Sequence, residues 1–94
     1  MELNVINELN QISFLSSDNK VLAYLKYDNN DGILHVTHTK VEEVLQGQGI
    51  AGKLMNELYA YAKKHNYKVV PICSYAIKWF EKNQEKQDIL LQTN

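Results

Sequence analysis

The sequence predicts an α/β protein: a small mixed, largely antiparallel sheet with one parallel β-α-β crossover and a C-terminal helix. Three observations carry this reading. Short strand-like segments crowd the first 41 residues, separated by clusters of Asn, Asp, Ser and Gly. Apolar residues then recur at helical spacing, at Ile50, Leu54, Leu58 and Tyr61. That helix lies between a long β-branched segment ending at Val41 and a short apolar one stopped by Pro71. A helical crossover makes two such strands parallel neighbours, connected right-handedly.

Taken in order, residues 3–6 and 11–15 read as short strands, with Asn10 and Ser16-Ser17-Asp18-Asn19 as punctuation. Residues 20–27 follow, with Val21, Ala23 and Leu25 on one face and Leu22 and Tyr24 on the other. Asp28-Asn29-Asn30-Asp31-Gly32 is a turn, because Asn, Asp and Gly tolerate left-handed backbone angles. Residues 33–41 complete a hairpin. Apolar side chains on both faces imply a sheet covered at least partly on each side. The main helix is expected over 48–65, flanked by Ala51, Met55 and Ala62, with Lys63, Lys64 and His65 at the negative end of its dipole. A strand over 67–70 and a helix over 75–82, capped by Ser74, come next. Residues 88–91 close the chain as a last short strand.

Composition narrows the function classes. The 94 residues suit one small domain spanning 1–94, and 45% hydrophobic with 22% charged residues is ordinary for a globular chain. A formal net charge of −1 supplies no general field for nucleic acid or anionic lipid, so neither is expected as a partner and any anion site is local. The start lacks a basic-then-apolar leader, no apolar run approaches membrane-spanning length, and the single cysteine forms no internal disulfide. The expected location is cytoplasmic. The sequence leaves the oligomeric state open.

Gln46-Gly47-Gln48-Gly49-Ile50-Ala51-Gly52 is the stretch with chemistry in it. Glycines let the backbone turn tightly with no Cβ to hold a ligand away. The helix that follows begins with N–H groups lacking intrahelical partners, and its dipole favours negative charge there. Such a turn is a phosphate cradle, although a plain structural turn has the same local pattern. The Walker motif is absent, since Gly52-Lys53 runs into Leu54. Gly47-x-Gly49-x-x-Gly52 matches the dinucleotide fingerprint in letters, but that motif opens the first βαβ unit and here strands come first.

Gln46-x-x-Gly49-x-Ala51 resembles the Gln/Arg-x-x-Gly-x-Gly/Ala signature of the GNAT superfamily of acyl-CoA N-acetyltransferases. Val41 matches the hydrophobic residue five places before the Gln/Arg. With His38-Thr39-x-Val41 and Val70-Pro71-x-Cys73, the three motifs are similar to those of a short single-domain subgroup of that superfamily. The resemblance implies a minimal GNAT-like fold that binds acetyl-CoA. The expected cofactor-binding set is Thr39, Val41, Gln46, Gly47, Gln48, Gly49, Ile50, Ala51, Gly52, Cys73 and Ser74. Loop amides would hold the pyrophosphate, and the strand end near Val41 would pair with the pantetheine as an added strand does.

Acetyl transfer to an amine needs an uncharged amine, a polarised thioester and a proton for the departing thiolate. An alkyl amine of pKa about 10 is mostly protonated at neutral pH, so a base or water relay helps. His38, Glu42 and Glu43 are the candidate bases and Tyr75 the candidate acid. Cys73 directly precedes a helix start, a setting that makes thiols reactive, and is either a nucleophile or a lining of the thioester pocket. The sequence also departs from the subgroup. Lys40 stands where glutamate is usual, and Asn83-Gln84-Glu85-Lys86 replaces a His-Pro-Glu-aromatic turn except at Glu85. Full-length GNAT proteins carry further elements that build the acceptor site, so here that half is expected to be minimal or shared with a partner. Three readings stay open: an N-acetyltransferase with an unknown amine acceptor, an acetyl-CoA-binding module without turnover, and a scaffold whose glycine turn is merely structural.

Overall fold

Period-2 alternation and turn chemistry lay down most of the sheet. The computed structural model describes residues 4–8, 10–43, 47 and 49–91. In chain order the strands are β1 (Asn4–Glu8), β2 (Gln11–Leu15), β3 (Val21–Asn30) and β4 (Ile33–Val41). Helix α1 (Ile50–His65) leads to β5 (Lys68–Pro71), then α2 (Ser74–Lys82) and a 3₁₀ segment, Gln84–Ile89. The strand order is β1-β2-β3-β4-β5. The first three pairings are antiparallel, and β4 pairs with β5 in parallel, as the helical crossover requires.

The β3–β4 turn is tighter than the run of turn-forming residues suggests. Asp28, Asn29 and Asn30 stay in the ladder, and only Asp31 and Gly32 turn, at φ 54° and 86°. Positive φ at both central residues matches the twist of a two-residue hairpin. Asn29 Oδ1 accepts the Gly32 N–H at 2.9 Å, so the side chain serves the turn from within the strand.

One face of the sheet meets the helices. Ile12, Phe14, Ala23, Leu25, Tyr27, Leu34, Val36 and Val69 are buried with Ile50, Leu54, Met55, Leu58 and Ala62 of α1. Ala76, Trp79 and Phe80 of α2 join the same cluster, and α2 packs beside α1. Each Val, Leu, Ile, Met or Phe side chain among them contributes about 1.5–3 kcal/mol on burial, so this layer outweighs any single polar contact. The other face presents Glu8, Gln11, Lys26 and His38 in one cross-strand row and Ile6, Ser13, Tyr24 and Lys40 in the next. Among the described residues it carries no helix. The expectation of cover on both sides is corrected: tolerance for apolar residues on the second face does not supply an element to bury them.

Three further expectations change. Helix α1 begins at Ile50 rather than residue 48, because Gly49 adopts a left-handed conformation that no helix can run through. The cap of α2 is Cys73, not Ser74: the Cys73 Sγ accepts the Ala76 N–H. No strand forms over 88–91. Asn83 Nδ2 donates to the Trp79 carbonyl and Gln87 Nε2 to the Phe80 carbonyl, both at 2.8 Å, which winds the chain into the 3₁₀ segment. Ile89 is then buried as an anchor, and only Leu90 bridges in parallel to Val69.

At the hairpin end, burial and the neighbouring Tyr61 push the Tyr27 phenol up to about 12. Its hydroxyl donates to Asn7 Oδ1 at 2.7 Å, tying β3 to the edge strand. Between pH 10 and 12 the unfolded chain releases this proton while the folded protein keeps it, so stability falls as pH rises. The melting temperature is expected to drop across that window, and the drop to be shallower in Tyr27→Phe. Parallel melting curves for the two proteins would expose a wrong assignment.

Candidate functional site

The site begins where two parallel strands part. β4 and β5 pair only from Ile33↔Lys68 to Val36↔Pro71. Pro71 is the last residue of β5. The next two donors, Ile72 N and Cys73 N, converge on the Val36 carbonyl at 2.9 and 3.0 Å. That convergence turns the chain away from β4 and into α2. β4 itself continues to Val41 with β3 as its strand partner. The result is a fork, five residues deep on the β4 side.

A β-bulge decides which side chains border the fork. Lys26 pairs with His38, but Tyr27 pairs with Val36, so Thr37 is an extra residue in β4. Strict alternation from Leu34 and Val36 would send His38 and Lys40 to the helix face. The bulge reverses this. Thr39, opposite Leu25, and Val41, opposite Ala23, take the helix face. His38 and Lys40 are exposed on the other, with His38 Nδ1 3.1 Å from Thr37 Oγ1. The structure therefore separates His38 from Thr39, Cys73 and Tyr75.

Thr39 and Cys73 meet across the fork, Oγ1 to Sγ at 3.4 Å. The sulfur also accepts the Ala76 N–H at 3.4 Å, from its position as the α2 N-cap. It is half-buried, and Ser74 beside it is exposed.

Beyond the fork lies the start of α1. Gly47 and Gly49 have φ 84° and 73°, left-handed values that favour glycine. The Lys53 N–H bonds back to the Gly49 carbonyl at 3.1 Å. The N–H groups of Ile50, Ala51 and Gly52 form the first turn of the helix, where the dipole favours negative charge. The first turn holds no acidic residue to compete for them. A Cβ on Gly47 or Gly49 would meet nothing within 4 Å, so the space above the loop is open. There a cleft of about 250 Å³ is lined by Val41, Gly47, Gly49, Ile50, Ala51, Gly52 and Tyr75.

Gly52 differs from the other two glycines. A Cβ there would meet Tyr75 Oη at 3.8 Å and Trp79 Nε1 at 3.9 Å, ordinary contacts in a helical conformation. Tyr75 therefore hangs over the first turn of α1, and burial holds its phenol above the usual value. The group is a proton donor at neutral pH. Trp79 was readable only as an apolar helical residue, and nothing in the sequence signals that its indole borders the glycine turn. Gln46 and Gln48 lie outside the described residues. Glu42 and Glu43 are exposed, with the Glu42 N–H donating to the Leu22 carbonyl at 2.8 Å.

A parallel β-α-β unit with a glycine loop at the helix start and a strand fork beside it defines the class: an α/β protein with an open cleft at its strand ends. A family model described as GCN5-related N-acetyl-transferase matches residues 12–89, and the chain belongs to that family. It is similar to a GCN5-like protein from Staphylococcus aureus solved by NMR, at 28% identity and TM-score 0.78. That match covers 98% of this chain and 91% of the other. A GNAT-family N-acetyltransferase from Escherichia coli, solved in complex with CoA, shares the fold at 19% identity and TM-score 0.63, covering 72% of this chain and 42% of that one. Tetrahymena GCN5 does so at 20% identity and TM-score 0.62, with 93% and 64% covered. The chain thus spans nearly all of the first protein and 42% of the second.

The three glycines separate experimentally. Gly52→Ala removes a flexible residue from a helix without strain and is expected to stabilise the fold by up to about 1 kcal/mol. Gly49→Ala forces a side chain into the left-handed region and is expected to destabilise by about 1–2 kcal/mol. Urea unfolding of both variants reads the contrast; equal effects would contradict the loop conformation described.

Proposed function

We propose that residues 1–94 form one acetyl-CoA-binding domain that transfers the acetyl group to an amine. The observation that carries this reading is the alignment, at one end of the sheet, of the α1 amides with the β4–β5 fork. Gly47, Gly49, Ile50, Ala51 and Gly52 are suited to a pyrophosphate, together with Gln46 and Gln48 of the same loop. The β4 strand end near Val41 suits the pantetheine amides, which would extend the sheet as an added strand does. The acetyl thioester then reaches the inner end of the fork, near Cys73 and Ser74. Family membership supports an acyl-CoA donor, and the CoA complex of the Escherichia coli protein is in keeping with it.

The two faces of the fork suit the two proton transfers. The acceptor amine arrives from the open face, where His38 takes its proton, while Tyr75 on the helix face is the acid for the departing thiolate once its hydroxyl swings from above Gly52 toward Cys73. The amine nitrogen bonds to the carbonyl carbon as the C–S bond breaks. Transfer is direct, and Cys73 lines the thioester end. The same separation of His38 from Tyr75 and Cys73 favours a second reading, an acetyl-CoA-binding module without turnover. Among the described residues no helix is long and apolar enough to cross a membrane. Together with the net charge of −1 this supports a cytoplasmic role on amines rather than on nucleic acid or lipid.

Isothermal titration with acetyl-CoA tests the site directly. Gly49→Val is expected to lose at least tenfold in affinity while costing about 1–2 kcal/mol in stability from its positive φ. Unchanged affinity in the folded variant removes this loop from the site. S-acetylpantetheine, which lacks the pyrophosphate, is expected to bind far more weakly than acetyl-CoA; equal binding rules out the phosphate cradle.

Turnover is a separate measurement. Incubation with a panel of primary amines and acetyl-CoA is expected to release CoA, and Tyr75→Phe to slow that release by 10²-fold or more. Cys73→Ala is expected to bind acetyl-CoA normally and to slow release only mildly. An acetyl adduct on the native protein in intact-mass spectra, absent from Cys73→Ala and from a denatured control, would replace direct transfer with an acyl-cysteine route. Binding without any CoA release supports the module reading.

A further inference from the structure

We infer that Thr39 is a positioning residue for Cys73, holding its sulfur at the inner end of the fork as a hydrogen-bond acceptor. The contact joins two elements that have otherwise separated. Strand pairing between β4 and β5 ends at Val36 and Pro71, and three residues further along β4 the Thr39 hydroxyl reaches the sulfur at 3.4 Å. The bulge at Thr37 makes this contact available, because it moves Thr39 onto the helix face where α2 begins.

The direction of the bond follows from the chemistry of the three groups. The Ala76 N–H, at 3.4 Å, already uses the sulfur as the acceptor that caps α2. A hydroxyl is a strong donor and a thiol a weak one. Two donors from different elements therefore converge on one sulfur, the O–H from β4 and the N–H from α2. The two contacts, both at 3.4 Å, hold the sulfur in one place and one orientation at the inner end of the fork. Thr39 thus serves Cys73 through its side chain, while its main chain belongs to the strand end.

The functional meaning of this pair rests on the reading of the fork as the thioester end of an acetyl-CoA site; the pair itself does not. The test therefore uses iodoacetamide and the cofactor-free protein. At pH 7.5 the alkylation rate of Cys73 is expected to fall at least threefold in Thr39→Val, which keeps the branched shape and the strand preference but lacks the hydroxyl. Thr39→Ser, which restores the donor, is expected to react within about twofold of the native rate. Melting temperatures taken alongside identify any variant whose fold has loosened, and a loosened fold exposes the thiol and speeds the reaction rather than slowing it. A Thr39→Val rate that is unchanged or faster overturns the inference, as does a Thr39→Ser rate that falls with it. Acetyl-CoA titration of the same variants is read independently: lost binding in native protein defeats the cofactor reading and leaves the alkylation result standing.

Discussion

Everything distinctive about this structure depends on the carbonyl of Val36. It is the last β4 acceptor on the β5 side, and it receives two N–H groups in succession, from Ile72 and Cys73. A regular parallel ladder would need the next donor to advance along β4. Instead the very next N–H, that of Cys73, returns to the same carbonyl, and the chain turns into α2. Had β5 continued, β4 would be paired on both sides to its end, and the glycine loop would open beside a closed sheet. Because it stops, the start of α1 and the end of β4 stand side by side.

The bulge at Thr37 has an equally large effect at a smaller scale. One extra residue exchanges the faces of everything from His38 to Val41. Thr39 gains a partner in Cys73, Val41 gains a place in the wall of the cleft, and His38 with Lys40 is left facing the uncovered side. Helix α2 reinforces the arrangement by laying Tyr75 and Trp79 against Gly52. Its orientation is fixed from below by Ala76, Trp79 and Phe80 in the core and from beyond by the 3₁₀ segment, whose Gln87 ties to the Phe80 carbonyl. The C-terminal part of the chain therefore works as a brace for α2 rather than as a strand of the sheet.

The uncovered face gives the molecule its economy. Both helices serve one layer, so the buried cluster is continuous from Ile12 to Ile89 while the opposite rows remain exposed at Ile6, Lys26, His38 and Lys40. Matched against longer GNAT structures, the chain covers 42% of one and 64% of another.

The sequence by itself determined the element order, the parallel crossover, the turn at Asp31-Gly32 and the glycine loop before α1. Each is written in short-range terms: alternation of period two, recurrence near 3.6, and residues that accept positive φ. Its motifs also sufficed to point to the family. What only the tertiary structure decided is which of those residues meet. The bulge at Thr37 has no local signature, since Thr is a good strand residue with or without an extra place in the register. The Cys73 cap displaced Ser74 because the depth of the fork, not capping preference, chose where α2 begins. Residues 88–91 have strand-like character but lost that state to side-chain bonds made by Asn83 and Gln87 to carbonyls on α2. In each case a contact between distant segments outweighed a local preference of about 1 kcal/mol, which is the scale on which local propensities operate.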